Sequence, residues 1–563
     1  MSALRVPVLI VGGALGGLSS ALFLAGHGVP ALLVERHGST SAHPRFRGPT
    51  VRSMEVLRGA GLEERIRAAG SSDTEIGGIA WVSGSLADTD VRWNVEPWEE
   101  DLSALTPTVA CACDQDRFEP ILLDRARELG ADVRFGTELT GFEQDARGVT
   151  ATVRERGSGR RTTVRADYLI AADGSHSPVR ERLGIPRRGP GLLGHRISLY
   201  FRTDLRPTVG GRPFSACFLE GMGGSLLPRG SGLWQLSVPF HPEQGERPED
   251  FTPERCRTLV GTALGDPGAV AELRGVSPWD LAILVADRFQ QGRVLLVGDA
   301  AHVMPPTGGF GGNLAIQDAH NLAWKLAAVL AGGAGPGLLA TYGPERRSVA
   351  QLTIAATARR LPASWVGTGA GPGAGTGAGG LVAGGAGAAP VAAGVSLAVG
   401  SGGLSDSTAD HNTVSLGYRY HSDAVLPDPG DDGTEPFEDP REPTGRPGTR
   451  APHLVVDDAG TRRSTLDLWG SAPVLLVGPE GTPWSRAAGE LALDAHRLRA
   501  PGAAGPGLVD VDGHFLQRYG VGPAGASLVR PDGFVAWRSP HAGDDPRGTL
   551  TRVLAALHDR RPL

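Results

Sequence analysis

A chain of 563 residues is too long for one hydrophobic core and predicts about three domains. Lys+Arg 55 against Asp+Glu 61 leaves a net charge of −6, so no basic excess exists to neutralise phosphates, which argues against nucleic acid as a partner. The 4 cysteines form neither a disulfide framework nor a zinc site: Cys111 and Cys113 are too close for a CxxC pair, Cys217 and Cys256 stand alone, and the set fits a reducing cytoplasm.

Val6–Val11 reads as a buried strand, followed by the glycine turn Gly12-Gly13-Ala14-Leu15-Gly16-Gly17, a helix to about Ala25 and a second strand, Ala31–Glu35. The glycines interrupt the apolar run, so neither a signal peptide nor a membrane span is expected. The turn matches G-x-G-x-x-G except that Ala14 replaces the middle glycine. The preceding strand, the following helix and Glu35 about 20 residues on make it a dinucleotide fingerprint, with Glu35 placed to accept from a ribose hydroxyl.

His43-Pro44-Arg45-Phe46-Arg47 lies in a loop, and Gln115 and Arg117 precede a helix over Glu119–Leu129, which leads into a strand at Asp132–Gly136. Tyr168–Ala171 is another apolar strand, ending at Asp173-Gly174; alone, such an ending is usually only a turn. Ile197–Phe201, Pro213–Leu219, Gly224–Leu227 and Leu233–Pro239 are short segments bounded by Gly or Pro and predict an antiparallel sheet, a second wall for a pocket.

Gly292–Leu330 is the most informative stretch. Val294–Val297 is a buried strand, and Asp299 sits at its carboxyl end, where open α/β sheets place their ligands. Pro305 and Pro306 delay any helix, and Gly308, Gly309, Gly311 and Gly312 let backbone N–H groups approach a ligand. Beyond Asn313 the apolar residues recur at helical spacing, so the start of a helix aims its positive dipole end at the loop. This is a seat for something with negative charge and hydroxyls. His302 beside it reads as a packing or supporting residue rather than a base.

Gly367–Gly403 is almost all small residues without charge and reads as a flexible linker or insertion, with one poor helix at Val391–Val399. Thr465–Leu468, Pro473–Val477, Gly507–Asp510 and Ala526–Arg530 predict strands of a separate α/β unit, with Pro531-Asp532-Gly533 turning into Phe534–Arg538. No nucleophile elbow, Walker lysine or HExxH occurs.

Together VGGALGGLSSAL with Glu35, YLIAADGSHSPVR and GRVLLVGDAAHVMPPTGGFGGN resemble the three fingerprints of the class A FAD-dependent aromatic-ring monooxygenases of the para-hydroxybenzoate hydroxylase fold. The segments HPRFRGPTVRSMEVLR, DQDRFEPILLDRA, LGYRYHSDAV and PREPTGRPGTRAPH resemble the aromatic-polyketide hydroxylases of that family. The likeness covers nearly the whole chain except 367–403. Two departures stand out: Leu314-Ala315 occupies a place where relatives often carry Thr-Gly, and the glycine-rich insertion is not a feature the family resemblance explains.

The resemblance implies an α/β fold: a Rossmann-like FAD-binding domain, an inserted antiparallel substrate domain and a C-terminal thioredoxin-like domain. It places FAD-binding parts at 1–75, 111–185 and 281–365, substrate-domain parts at 76–110 and 186–280, the insertion at 366–410, a loop at 411–450 and the last domain at 451–563. It implies FAD as cofactor. Gly12, Ala14 and Gly17 would line the pyrophosphate, Glu35 with Arg36 beside it the adenosine ribose, and Arg45 and Gln115 the phosphate and ribitol region. Asp173 belongs to a motif serving both FAD and the nicotinamide cofactor, Asp299 would hold the ribitol, and Gly311, Gly312 and Asn313 would face the flavin ring. No metal and no catalytic residue is assigned. The cysteine-free C-terminal unit takes no redox role.

The expected reaction uses NADPH or NADH to reduce FAD, adds O2 as a C4a-hydroperoxide and passes one oxygen to a polycyclic aromatic polyketide in antibiotic biosynthesis. Two alternatives stay open: a Baeyer–Villiger or antibiotic-inactivating monooxygenase, and a flavin-binding accessory protein without activity. A halogenase is disfavoured because Trp-x-Trp-x-Ile-Pro is absent. Monomer and homodimer both remain open.

Overall fold

The computed structural model describes residues 3–70, 78–94, 100–204, 206, 208–230, 232–269, 271–362, 365 and 410–560; the segment expected as a linker, with its helix at Val391–Val399, lies outside them. The first sheet runs Gln290–Gln291, Val294–Leu296, Arg161–Ala171, Leu4–Val11, Ala31–Glu35, Asp132–Phe135. From Val294–Leu296 onward these strands pair in parallel, and the hairpin Thr137–Asp145/Gly148–Glu155 joins the Arg161–Ala171 strand antiparallel. Apolar runs such as Val8-Leu9-Ile10 are wholly buried because helices cover the sheet. The helix Leu15–Gly26 packs along Phe310–Leu330.

Register decides where the site falls. Val11 pairs with both Val34 and Ala171, and Ala171 pairs with Leu296. Four strand ends far apart in sequence therefore stop side by side, and Gly12, Glu35, Asp173 and Asp299 emerge along one edge.

The second sheet runs His302–Val303, Glu272–Ala286, Arg187–Arg202, Leu233–Phe240, Gly224–Pro228, Arg212–Leu219, Gly78–Val82, Val91–Asn94. Its period of two is clean. Ile197, Leu199, Phe201, Leu226, Leu236 and Val238 enter a core covered by the helix Pro253–Leu264, whereas Ser198, Tyr200, Gln235 and Ser237 face the other way. The strand Glu272–Ala286 escaped the sequence reading because Gly275 and Pro278 interrupt it. Around Pro278 it pairs with the Arg187–Arg202 strand and has no second neighbour among the described residues, the kind of sheet edge that tolerates a proline.

The third sheet, Thr461–Ser464, Val455–Asp458, Leu508–Asp510, Asp494–Arg499, Val474–Val477, Ala526–Val529, Val535–Ser539, carries the thioredoxin-like arrangement with helices Thr482–Glu490 and Pro546–Leu557. Thr465–Leu468 is a 3₁₀ turn and not a strand. Ser464 Oγ accepts from Leu466 N at 3.0 Å and Asp467 Oδ2 from Ser464 N at 3.0 Å, so side chains capture the N–H groups a strand would need.

Two helices start earlier than the sequence suggests. One spans Gln115–Glu128 with Pro120 inside it, so Gln115 and Arg117 belong to its first turn. The other spans Phe310–Leu330, capped by Gly309 in the left-handed region, so Gly311, Gly312 and Asn313 form a first turn rather than a loop. Glycine is tolerated there because the first N–H groups of a helix have no intrahelical partner. No helix among the described residues is long and apolar enough to cross a membrane.

Candidate active site

The two sheets enclose a cleft of about 2270 Å³. That exceeds the roughly 300–1,000 Å³ of an ordinary small-ligand pocket, so the cleft has room for more than one small molecule. Gly12, Ala14, Glu35, Arg36, Arg45, Gln115, Asp173, Asp299, Gly311 and Gly312 all line it; Gly17 and Asn313 do not.

The first turn is built by close backbone approach. Gly12 has φ +107°, and a Cβ there would collide with the carbonyl oxygen of Ala172; a Cβ on Gly17 would collide with that of Gly12. Gly17 thus shapes the turn from behind. Glu35 accepts from Gly13 N at 2.6 Å through one oxygen and from His37 N at 2.7 Å through the other, which holds its carboxylate at the mouth of the turn.

Asp173 is committed to its own loop. Its oxygens accept from Ser177 Oγ at 2.6 Å and Val179 N at 3.0 Å, and burial pushes its pKa up. Buried Arg180 donates to the carbonyls of Ser175 at 3.1 Å, His176 at 3.2 Å and Ala300 at 3.0 Å, tying this loop to the one that carries Asp299.

Asp299 differs. Its side chain is exposed within the cleft and takes no hydrogen bond among the described residues, while its depth in the protein still raises its pKa through desolvation against the opposing influence of His302 and Arg45. A free acceptor at this depth wants hydroxyl donors from a ligand.

Asn313 uses its side chain to bind backbone. Its Oδ1 accepts from Thr50 N at 2.8 Å and its Nδ2 donates to Gly48 O at 3.2 Å and Gly309 O at 2.8 Å. The amide is spent stapling the helix start to the 48–50 segment and is turned away from the cleft. A Cβ on Gly312 would stand 2.6 Å from Phe46 and 2.7 Å from Leu15, whereas at Gly311 the nearest atom is Met304 Cγ at 3.7 Å. Gly311 therefore keeps open space on the cleft side, beside the unpaired N–H groups of the first turn.

Gln115 accepts from Phe46 N at 3.2 Å and donates to Glu119 at 2.7 Å. Arg45 reaches across to Ser277 Oγ at 3.3 Å. His302 is buried off the cleft, with Nε2 2.7 Å from Asp318.

The roof was beyond single-residue reading. Trp81, Phe218, Trp279 and Trp365 form its aromatic part, with Phe218 stacked on Trp81 at 5.3 Å and edge-on to Trp365 at 5.5 Å. A polar line crosses it. Arg229 pairs with Asp114 at 3.1 Å and grips Gln235, Gln235 donates to Ser198 Oγ at 2.9 Å, and Trp279 Nε1 donates to the same oxygen at 3.0 Å. Burial raises the pKa of neighbouring Tyr200. The available signal was the period of two: Ser198 and Tyr200, or Gln235 and Ser237, alternate with core residues.

A glycine turn against a strand end, a carboxylate held at its mouth, a free acid and a glycine helix start, all beneath an aromatic roof, define a flavoprotein with a substrate chamber. The comparisons agree. The FAD binding domain family matches residues 5–357, and the C-terminal family of the aromatic-ring hydroxylases matches residues 444–560. Tetracenomycin A2 monooxygenase-dioxygenase of Streptomyces glaucescens is 41% identical, covering 99% of this chain and 97% of its own. Aklavinone 12-hydroxylase of Streptomyces purpurascens is 40% identical over 99% of both. The crystal structure of aklavinone-11 hydroxylase with FAD and aklavinone superposes with a TM-score of 0.85 at 38% identity, covering 100% of each chain. The chain belongs to the class A FAD-dependent aromatic-ring monooxygenases, in their aromatic-polyketide hydroxylase group.

Proposed function

We propose that this enzyme inserts one oxygen atom from O2 into a polycyclic aromatic polyketide, drawing electrons from NADPH or NADH through FAD. The observation that carries the reading is Asp299, a free carboxylate aimed into a cleft large enough for cofactor and substrate together. The residues fit FAD. Gly12 and Ala14 would leave room for its pyrophosphate, Glu35 and Arg36 would hold its ribose, Asp173 shapes the neighbouring loop, and Asp299, Arg45 and Gln115 would hold its ribitol and phosphate. FAD, when bound, supplies the electron storage and oxygen activation that amino acids lack.

This chain's own residues then have three tasks. The N–H groups of Phe310 and Gly311, with the helix dipole, stabilise negative charge at the end of the cofactor. The indoles of Trp81, Trp279 and Trp365 hold a flat aromatic ligand and keep water away. The Arg229–Gln235–Ser198 line fixes the polar edge of the chamber, so the ligand is oriented by hydrogen bonds as well as stacking.

The test is turnover of aklavinone and other polycyclic aromatic polyketides by purified holoenzyme with NADPH or NADH. Substrate-dependent oxidation of the nicotinamide and a product with one added oxygen, placed on a ring carbon by NMR, are expected. Absence of both across the set refutes the substrate class; a lactone would replace hydroxylation by ring insertion. Asp299→Ala is expected to leave the purified protein poor in FAD.

A further inference from the structure

Asp318 lies on the helix Phe310–Leu330, eight residues beyond its start, and is wholly buried off the cleft. One of its oxygens accepts from Gly298 N at 3.1 Å and bonds His302 Nε2 at 2.7 Å; the other accepts from Arg346 Nε at 2.7 Å. These contacts bracket the turn Gly298–Ala300, which carries Asp299.

The turn is held on every side by side chains. Gly298 has φ +63°, and a Cβ there would stand 2.8 Å from Ala315 Cβ, so the turn rests directly on the helix. Arg180 holds Ala300 O from across the sheet, and Tyr342 donates to Leu296 O at 2.6 Å just before the turn. Without Asp318 the Gly298 N–H would be buried with no acceptor, and His302 would lose its partner. Within the turn, the Asp299 side chain takes no hydrogen bond among the described residues. One helix thus supplies both the glycine first turn of the site and the acid that sets the neighbouring turn.

We infer that Asp318 is a positioning residue for the cofactor: through Gly298 N and His302 it fixes the turn so that the Asp299 carboxylate points into the cleft at the height of the helix start. The inference rests on the reading of Asp299 as a cofactor ligand. Arg346 and His302 surround Asp318 with positive and donor groups, so the second acid does not repel the first. Arg346 is held in turn by the Tyr420 hydroxyl at 3.1 Å. Outer partners that orient a ligand-binding carboxylate are worth roughly 10–100-fold in affinity in the comparable case of metal sites.

A double-mutant cycle on FAD affinity tests this. FAD dissociation from the holoenzyme is followed by flavin fluorescence in the wild type, Asp299→Asn, Asp318→Asn and the double variant. Each single change is expected to weaken FAD about tenfold, and the double variant is expected to be no weaker than Asp299→Asn, because Asp318 acts through Asp299. Additive losses, or unchanged affinity in Asp318→Asn, overturn the inference, since a general loss of stability would add. Unchanged affinity in Asp299→Asn overturns the cofactor reading itself, and the inference with it. If Asp318→Asn does not fold, His302→Gln, which leaves the Arg346 pair intact, enters the same cycle with the same non-additivity expected.

Discussion

Glu345 is the centre of a wholly buried ion cluster, and Glu345→Gln is the sharpest test of how the C-terminal domain is joined to the rest. Glu345 accepts from Arg530 at 2.6 and 2.8 Å, Lys325 at 2.7 Å, Asn321 at 2.7 Å and Ser422 at 2.6 Å. These cations hold its pKa far below the usual carboxylate range, against burial. Glutamine keeps the shape, removes the charge and turns an amide donor toward a cation. Arg530 retains Asp532 at 2.6 Å, but Lys325 is left with no acid in hydrogen-bond contact among the described residues. Breaking a buried pair in this way costs about 3–5 kcal/mol.

The pH dependence gives the sign. In the wild type burial lowers Lys325 to about 8, so above that pH the unfolded chain holds more protons than the folded one and stability rises toward the free lysine value. In Glu345→Gln the lysine sheds its proton at a lower pH. The penalty relative to wild type is therefore full in mildly acid solution and shrinks by about 1.4 kcal/mol per pH unit once the variant's lysine deprotonates. It levels off above about 8, where the wild-type lysine does the same. Thermal or urea unfolding of both proteins from pH 6 to 9 measures it. A penalty below about 1 kcal/mol at pH 6, or one that grows with pH, refutes the reasoning.

Three further outcomes follow from the geometry. Gly12→Ala forces a positive φ and a collision with Ala172 O, so flavin content falls and stability drops by more than about 1 kcal/mol; a fully loaded, equally stable variant would contradict this. Asn313→Ala removes three backbone bonds and costs about 1–3 kcal/mol while the flavin absorption maxima stay put. A shifted spectrum would place Asn313 on the ring after all. Burial pushes the Cys113 thiol up to about 12, so peptide mapping after thiol labelling at pH 8 finds it unmodified in the native enzyme; labelling at the denatured-state rate would show the site is open.

Much of the cofactor half was readable because its determinants are local. Gly12 and Gly17 are demanded by backbone contacts a few residues away or across adjacent strands, and the apolar runs before Gly12, Asp173 and Asp299 announce buried parallel strands. The misreadings share a cause. Gly311 and Gly312 look like loop residues until Gly309 is seen to cap a helix that already includes them. Thr465–Leu468 looks like a strand until Ser464 and Asp467 capture its ends.

The sequence by itself determined the strand–turn–helix units, the edge at which their loops gather, and the glycines that edge requires, because steric rules act over short separations. Tertiary structure alone decided which side chains are spent and which remain free. Asp173 and Asn313 are consumed by local and distant backbone; Asp299 is not. The roof, the Arg229–Asp114 pair, the Asp318 support and the Glu345 cluster all join residues far apart in the chain. No periodicity encodes such a pairing: whether a carboxylate is a ligand or a strut depends on the donors that folding brings within about 3 Å of it.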